Sequence, residues 1–271
     1  MQYVWFIWSL IILALWSVIY LLRKESRKEM LKMSLITMPF GLTEPLFVPE
    51  YWIPPSLFDL AEKTGFDIES LIFSFAIGGI GTVLYNLIFK RSLVEIPHSE
   101  RGHQRHRLHI YILFIPALVF LTLALFTSLN HIYCGIIALF IGGLATLYCR
   151  PDLKGKIWVG GILFTVLYFI YFGSILPFYP QYVELYWNLN NLTHILFFGV
   201  PIEELLFAFT FGMYWSGLYE HLYWRKLIHS NNRRRVGKVY AHSYRIKHTF
   251  IYFTTLKYSP RQTFIFHRSL C

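Results

Sequence analysis

The chain has 271 residues, of which 55% are hydrophobic and 19% aromatic against 15% charged, a balance that excludes an ordinary soluble domain and points to a polytopic membrane protein. A net charge of +10 would suit a nucleic-acid binder, but the basic residues lie in short clusters between apolar runs, so no nucleic-acid partner is expected. Three cysteines, Cys134, Cys149 and Cys271, form no CxxC, so neither a disulfide framework nor zinc is implied.

A bilayer core of about 30 Å requires roughly 20 mainly apolar residues per helix. The run 3–22 lacks a basic leader and stops at RKESRK, which reads as a transmembrane helix and not as a cleaved signal. Further spans are predicted at 69–89, 108–127, 129–149, 157–178 and 195–223. Segment 30–49 (MLKMSLITMPFGLTEPLFVP) carries Glu44 and three prolines, and charge decides whether it crosses. Segments 23–32, 90–107 and 150–156 and everything after Tyr223 are basic. Among Lys and Arg, the connections 50–68, 128–131 and 179–194 contain only Lys63. If 30–49 crosses, all basic loops fall on one face, as the positive-inside rule requires. The expected fold is therefore an all-α integral membrane protein with seven transmembrane helices, N-terminus outside and C-terminus cytoplasmic.

Residues 65–86 (GFDIESLIFSFAIGGIGTVLYN) and 199–220 (GVPIEELLFAFTFGMYWSGLYE) align without gaps at an offset of 134. A Tyr-Trp pair precedes each, Tyr51-Trp52 and Tyr186-Trp187, and a basic stop follows each. The pattern predicts two three-helix repeats, 1–91 and 129–226. A basic inner loop and connector helix, 92–128, would join them and keep them parallel. The tail 227–271 is basic, with RRR at 233–235, and is expected, like the basic loops, to meet anionic lipid headgroups. The run GGIG at 78–81 lies inside an apolar helix and reads as a site of close helix packing.

Two adjacent carboxylates, Glu203 and Glu204, stand where apolar residues precede and follow them. Neighbouring carboxyls resist joint ionisation, and a protonated acid beside an ionised one is the arrangement general acid–base chemistry needs. Asp67 and Glu69 begin the corresponding helix of the first repeat, where dipole compensation and function are both open. Glu44 either faces the bundle or snorkels outward. Tyr51, Trp52, Tyr186 and Trp187 fit an interfacial belt or substrate contacts. A metal set of Glu203, Glu204 and His194 has no HxxxH or ExxH spacing to support it, and no metal is expected. His98, His103, His106 and His109 read as a solvated or headgroup-facing cluster. No lysine occurs between Ile195 and Tyr223, which excludes a retinal Schiff base in that helix.

The stretch PIEELLF (201–207) resembles the PxE(E/D) signature of the lycopene cyclase domain family, the heterodimeric or fused membrane-type carotenoid cyclases. With the repeat and the topology, the resemblance covers roughly residues 1–225. The first copy departs from the signature: it reads DIES, with Asp67 in place of the proline and Ser70 in place of the second acid. The resemblance implies an enzyme of carotenoid biosynthesis, an intramolecular lyase or isomerase. Such an enzyme protonates a terminal double bond, lets the neighbouring alkene attack the cation, and removes a proton from the new ring. It implies Glu203, Glu204 and Glu69 as catalytic groups, with Asp67 and Glu44 behind them, and Trp52, Trp187, Phe73 and Phe207 as substrate contacts. The substrate would be a hydrophobic isoprenoid or carotenoid in the bilayer, most naturally the cytoplasmic membrane of a prokaryote. No cofactor is expected, because no GxGxxG follows a strand. A non-catalytic isoprenoid-binding or proton-coupled transport protein on the same scaffold is the alternative, and homo-oligomerisation stays open.

Overall fold

A computed structural model describes residues 3–102 and 104–229. His103 and most of the predicted tail, including residues 233–235, lie outside the described residues. The backbone divides into a unit Met1–Leu227 and a second unit 228–271.

Seven α-helices of eleven residues or more occur among the described residues: α1 Val4–Leu22, α2 Arg27–Thr37, α3 Ile68–Ile88, α4 His109–Phe126, α5 His131–Cys149, α6 Lys154–Gly173 and α7 Ile202–Leu222. Of these, α1, α3, α4, α5 and α6 are long and apolar enough to cross a membrane. α1 buries Trp5, Trp8, Ile12 and Trp16, a stripe spaced by three and four residues. Its other face exposes Ile7, Leu10, Ile11, Val18 and Leu21, so both faces are apolar, as lipid demands and water forbids. α4 goes further: it buries only His109 and Ile112 and exposes Ile110, Phe114, Leu118, Leu121 and Leu125. It packs on α5 at the periphery, while α3 and α7 lie at the centre, α3 against α1 and α2, α7 against α5 and α6.

Two expected spans take another form. Segment 30–49 is not one uniform helix: α2 ends at Thr37 and a 3-10 helix runs from Met38 to Leu46. Pro39 and Pro45 carry no N–H, so the i→i−4 ladder cannot continue through them and the chain takes the tighter form. Residues 195–201 are not helical either. Leu196–Phe197 pairs antiparallel with Val200–Pro201, strands β2 and β3, and α7 begins only at Ile202. Phe198 (φ 51°) and Gly199 (φ 82°) form the two-residue turn. Two successive positive φ angles suit the hairpin twist, and glycine adopts one at no steric cost.

Small residues allow close crossings. A Cβ on Gly212 of α7 would stand 2.9 Å from the carbonyl oxygen of Gly160 on α6, so these backbones meet where no side chain fits. Gly78 and Gly79 lie against Thr37, Ser34 and Trp16, so the GGIG run does serve close packing. At one end of the unit Trp52 bridges Trp187 antiparallel, with Ile53 N–H donating to Tyr186 O (2.8 Å) and Asn188 N–H to Tyr51 O (2.9 Å). At the other end the strand Arg91–Glu95, β1, pairs with β4, Arg225–His229.

Candidate functional site

Adjacent residues on an α-helix point about 100° apart, so Glu203 and Glu204 in the first turn of α7 cannot share one environment. Glu203 turns toward the preceding segment. Its Oε1 accepts from the Thr193 backbone N–H (2.9 Å), the Thr193 hydroxyl (2.7 Å) and the Tyr133 hydroxyl of α5 (2.8 Å). Glu204 turns into the unit. Its Oε1 accepts from the Tyr51 hydroxyl (2.6 Å) and the Trp187 indole N–H (3.0 Å), and its Oε2 from the Tyr168 hydroxyl of α6 (2.5 Å). Both carboxyls are buried.

The start of α3 shows half of the same arrangement. Glu69, 134 positions before Glu203, likewise accepts from a backbone N–H of the segment ahead of its helix, that of Leu57 (2.8 Å). Ser70, 134 positions before Glu204, has no acid to offer, but its hydroxyl donates to Glu44 Oε2 (3.0 Å). Glu44 is buried and does not snorkel, because the 3-10 turn carries it against α3. Asp67 caps α3 by accepting from the Ser70 N–H. Burial pushes the Asp67 carboxyl up from its ordinary value, against the pull of that bond. Glu44 Oε1, Asp67 Oδ2 and Glu69 Oε2 are buried with no hydrogen-bond partner among the described residues. The indoles of Trp52 and Trp5 lie by Glu44 and Asp67 without hydrogen-bonding geometry. Glu44 is also within electrostatic range of Glu204.

Aromatic rings enclose these groups. Trp52 sits between Trp5 (ring centroids 5.2 Å) and Trp187 (4.9 Å), Trp5 meets Phe73 (5.3 Å), and Phe73 stacks on Tyr171 (6.0 Å). Three of the four predicted contacts, Trp52, Trp187 and Phe73, thus belong to one enclosure. Phe207 does not join it directly: it stacks on Phe211 (5.9 Å), which meets Phe164 (5.0 Å). A cleft of about 530 Å³ lies elsewhere, lined by Phe169, Ile170, Leu176, Pro177 and Phe198. His194 is exposed and Glu203 and Glu204 diverge, so the three form no common ligand set.

Tyr168, Tyr133 and Thr193 were not legible as site residues in the sequence, and Tyr51 read as an interfacial-belt or substrate-contact residue. The structure also holds a second buried polar group. Lys156 Nζ lies 2.5 Å from Glu220 Oε1 and 4.0 Å from Glu29 Oε1, and Asn86 donates to Glu29 (3.0 Å) and Glu220 (3.3 Å). All four are buried. A lysine in an apolar helix two residues inside its start was legible as needing a partner.

Residues 130–222 match the family model described as lycopene cyclase, which supports a lycopene cyclase domain in this part of the chain. The match takes in Glu203, Glu204, Tyr133, Tyr168 and Trp187, and it supports a function of the carotenoid-cyclase type. No curated protein and no solved structure matches the chain.

Proposed function

We propose that the chain is a membrane-embedded carotenoid end-group cyclase in which Glu204 is the central acid–base group. One observation carries the reading: a buried carboxylate, inside the matched domain, accepts three hydrogen bonds and sits in an enclosure of aromatic rings. Three donors fix Glu204 as an acceptor, the configuration of a base that removes a proton from a newly closed ring. Glu44, with one oxygen lacking a partner, supplies the proton from the first repeat. It thereby stands in for the acid that Ser70 lacks. Protonation of the terminal double bond generates a carbocation, the neighbouring alkene closes the ring, and loss of one proton restores neutrality, so no redox cofactor is consumed. Aromatic faces stabilise the cation by about 0.5–2 kcal/mol each, and the apolar walls exclude water that would trap it. Trp52, Trp187 and Phe73 are the proposed substrate contacts. Glu203, Glu69 and Asp67 hold the helix starts.

The same reading takes all seven helices as crossings, with the 3-10 turn completing the second. It places the N-terminus outside, the C-terminus and basic loops on the cytoplasmic side against anionic lipid, and the two repeats parallel in a prokaryotic cytoplasmic membrane. What supports the repeat is the pairing of Asn86 with Glu220, 134 positions on, and the bridge of Trp52 with Trp187, one position beyond that offset.

The test is pigment analysis of a lycopene-accumulating bacterial host expressing the chain, with Glu204→Gln and Glu44→Gln variants at matched membrane abundance. Cyclic product from the parent chain and linear pigment from both variants is expected. Untouched lycopene with well-inserted parent protein overturns the reading in favour of isoprenoid binding or transport.

A further inference from the structure

Of the histidines before and at the start of α4, His109 is buried and His106 half-buried. At the end of the unit away from Glu204, His106 Nδ1 lies 3.3 Å from Cys149 Sγ, and His109 Nδ1 lies 3.5 Å from the same sulfur. The three atoms all fall within 4.8 Å of one another. They come from three places in the fold: the turn before α4, the first residue of α4 and the last residue of α5. Cys149 and His109 are buried, and the Trp224 ring stacks on His109 at 3.9 Å and shields it. Beside them His221 of α7 is fully buried, 4.1 Å from the His109 ring, with neither ring nitrogen hydrogen-bonded among the described residues.

We propose that His106, His109 and Cys149 bind one divalent transition-metal ion, zinc by preference. A tetrahedral zinc with Zn–S of ~2.3 Å and Zn–N of ~2.0–2.1 Å holds its sulfur and nitrogen ligands ~3.5 Å apart, the separation of both pairs here. A thiol has one proton and can donate to one imidazole, whereas an ion satisfies both contacts to the sulfur at once. Two imidazoles and a thiolate suit zinc and exclude magnesium and calcium, which take oxygen ligands. The guanidinium of neighbouring Arg150 is matched by Asp152 at 2.7 Å and does not oppose the ion unpaired. Seventeen residues of α7 separate His221 from Glu204, about 26 Å at 1.5 Å per residue, so the ion would take no part in acid–base chemistry there. It would instead tie the start of α4 to the end of α5. Binding deprotonates the Cys149 thiol and releases that proton to solvent.

The experiment uses the full-length chain purified in detergent, with zinc content measured after gel filtration and cobalt(II) as a spectroscopic probe. The parent chain is expected to hold one equivalent and to give a thiolate-to-cobalt charge-transfer band. Cys149→Ser and His106→Ala should each weaken binding on the order of 100-fold or more, and His98→Ala, at an exposed position, should not. His106 is partly exposed, so its variant keeps the test decisive if Cys149→Ser fails to fold. A parent chain that takes up neither zinc nor cobalt overturns the proposal. So does cobalt binding without the thiolate band, or uptake equal in parent and variants.

Discussion

Trp52 and Trp187 face each other across an antiparallel bridge with ring centroids 4.9 Å apart, one ring beside Glu44 and the other donating its N–H to Glu204. The two tryptophans therefore link the carboxyls of the two halves of the chain. Replacing Trp187 by Phe keeps an aromatic ring in the enclosure and removes the donor. A hydrogen bond to a charged group contributes about 1.5–3 kcal/mol, so Trp187→Phe should slow cyclisation by roughly 10–100-fold. Initial rates on membranes of equal protein content check this.

Glu203 and Glu204 should separate in function although they are neighbours in sequence. Glu203 secures the segment at Thr193 and the α5 hydroxyl of Tyr133, so Glu203→Gln keeps one acceptor oxygen and should retain most of the turnover. Its cost should appear in stability, about 1–3 kcal/mol for the weakened bonds. Glu204→Gln should fold normally and lose on the order of 10²–10⁴-fold in rate. Equal losses of activity in both variants, with unchanged melting, would remove the distinction.

Much of this arrangement was legible before the structure. The apolar runs locate α1 and α3–α6 to within a few residues, and the paired glutamates mark the start of α7. The hairpin at 195–201 was not legible, because ILFF reads equally as strand or helix and only the Phe198-Gly199 turn decides. Nor did the sequence indicate what Glu203 and Glu204 would each meet: their partners Tyr51, Tyr133 and Tyr168 lie 153, 70 and 36 positions away. A tyrosine in an apolar run is compatible with an interfacial belt, a core position or a hydrogen-bond donor, and tertiary structure alone selects among them.

The buried group at the far end of α7 should behave as a unit. Lys156→Met leaves Glu220 without its cation partner in a closed interior, which should destabilise the protein by about 3–5 kcal/mol. The double variant Lys156→Met/Glu220→Leu should recover much of that loss. Thermal unfolding in detergent distinguishes the two, and additive losses would argue against a coupled pair.

Asp67 gives a pH dependence with a definite sign. Burial raises its folded-state pKa above the ordinary 3.8, so the folded chain holds that proton more tightly than the unfolded chain does. Stability from this group is complete below the unfolded value and declines as pH rises toward the folded one. Asp67→Asn keeps a capping oxygen and removes the titration, so its melting midpoint should vary less across that window than the parent's. A parallel pH profile for the two proteins would contradict this account.

The central claim is proton chemistry on a linear end group, and solvent isotope reports it most directly. Purified protein would be supplied with lycopene in lipid vesicles prepared in D₂O, and the cyclic product analysed by mass spectrometry. An acid that exchanges with solvent and protonates the terminal double bond should leave one deuterium in each ring formed, with no product from Glu204→Gln. Cyclic product without deuterium, or equal conversion by Glu204→Gln, would contradict the assignment.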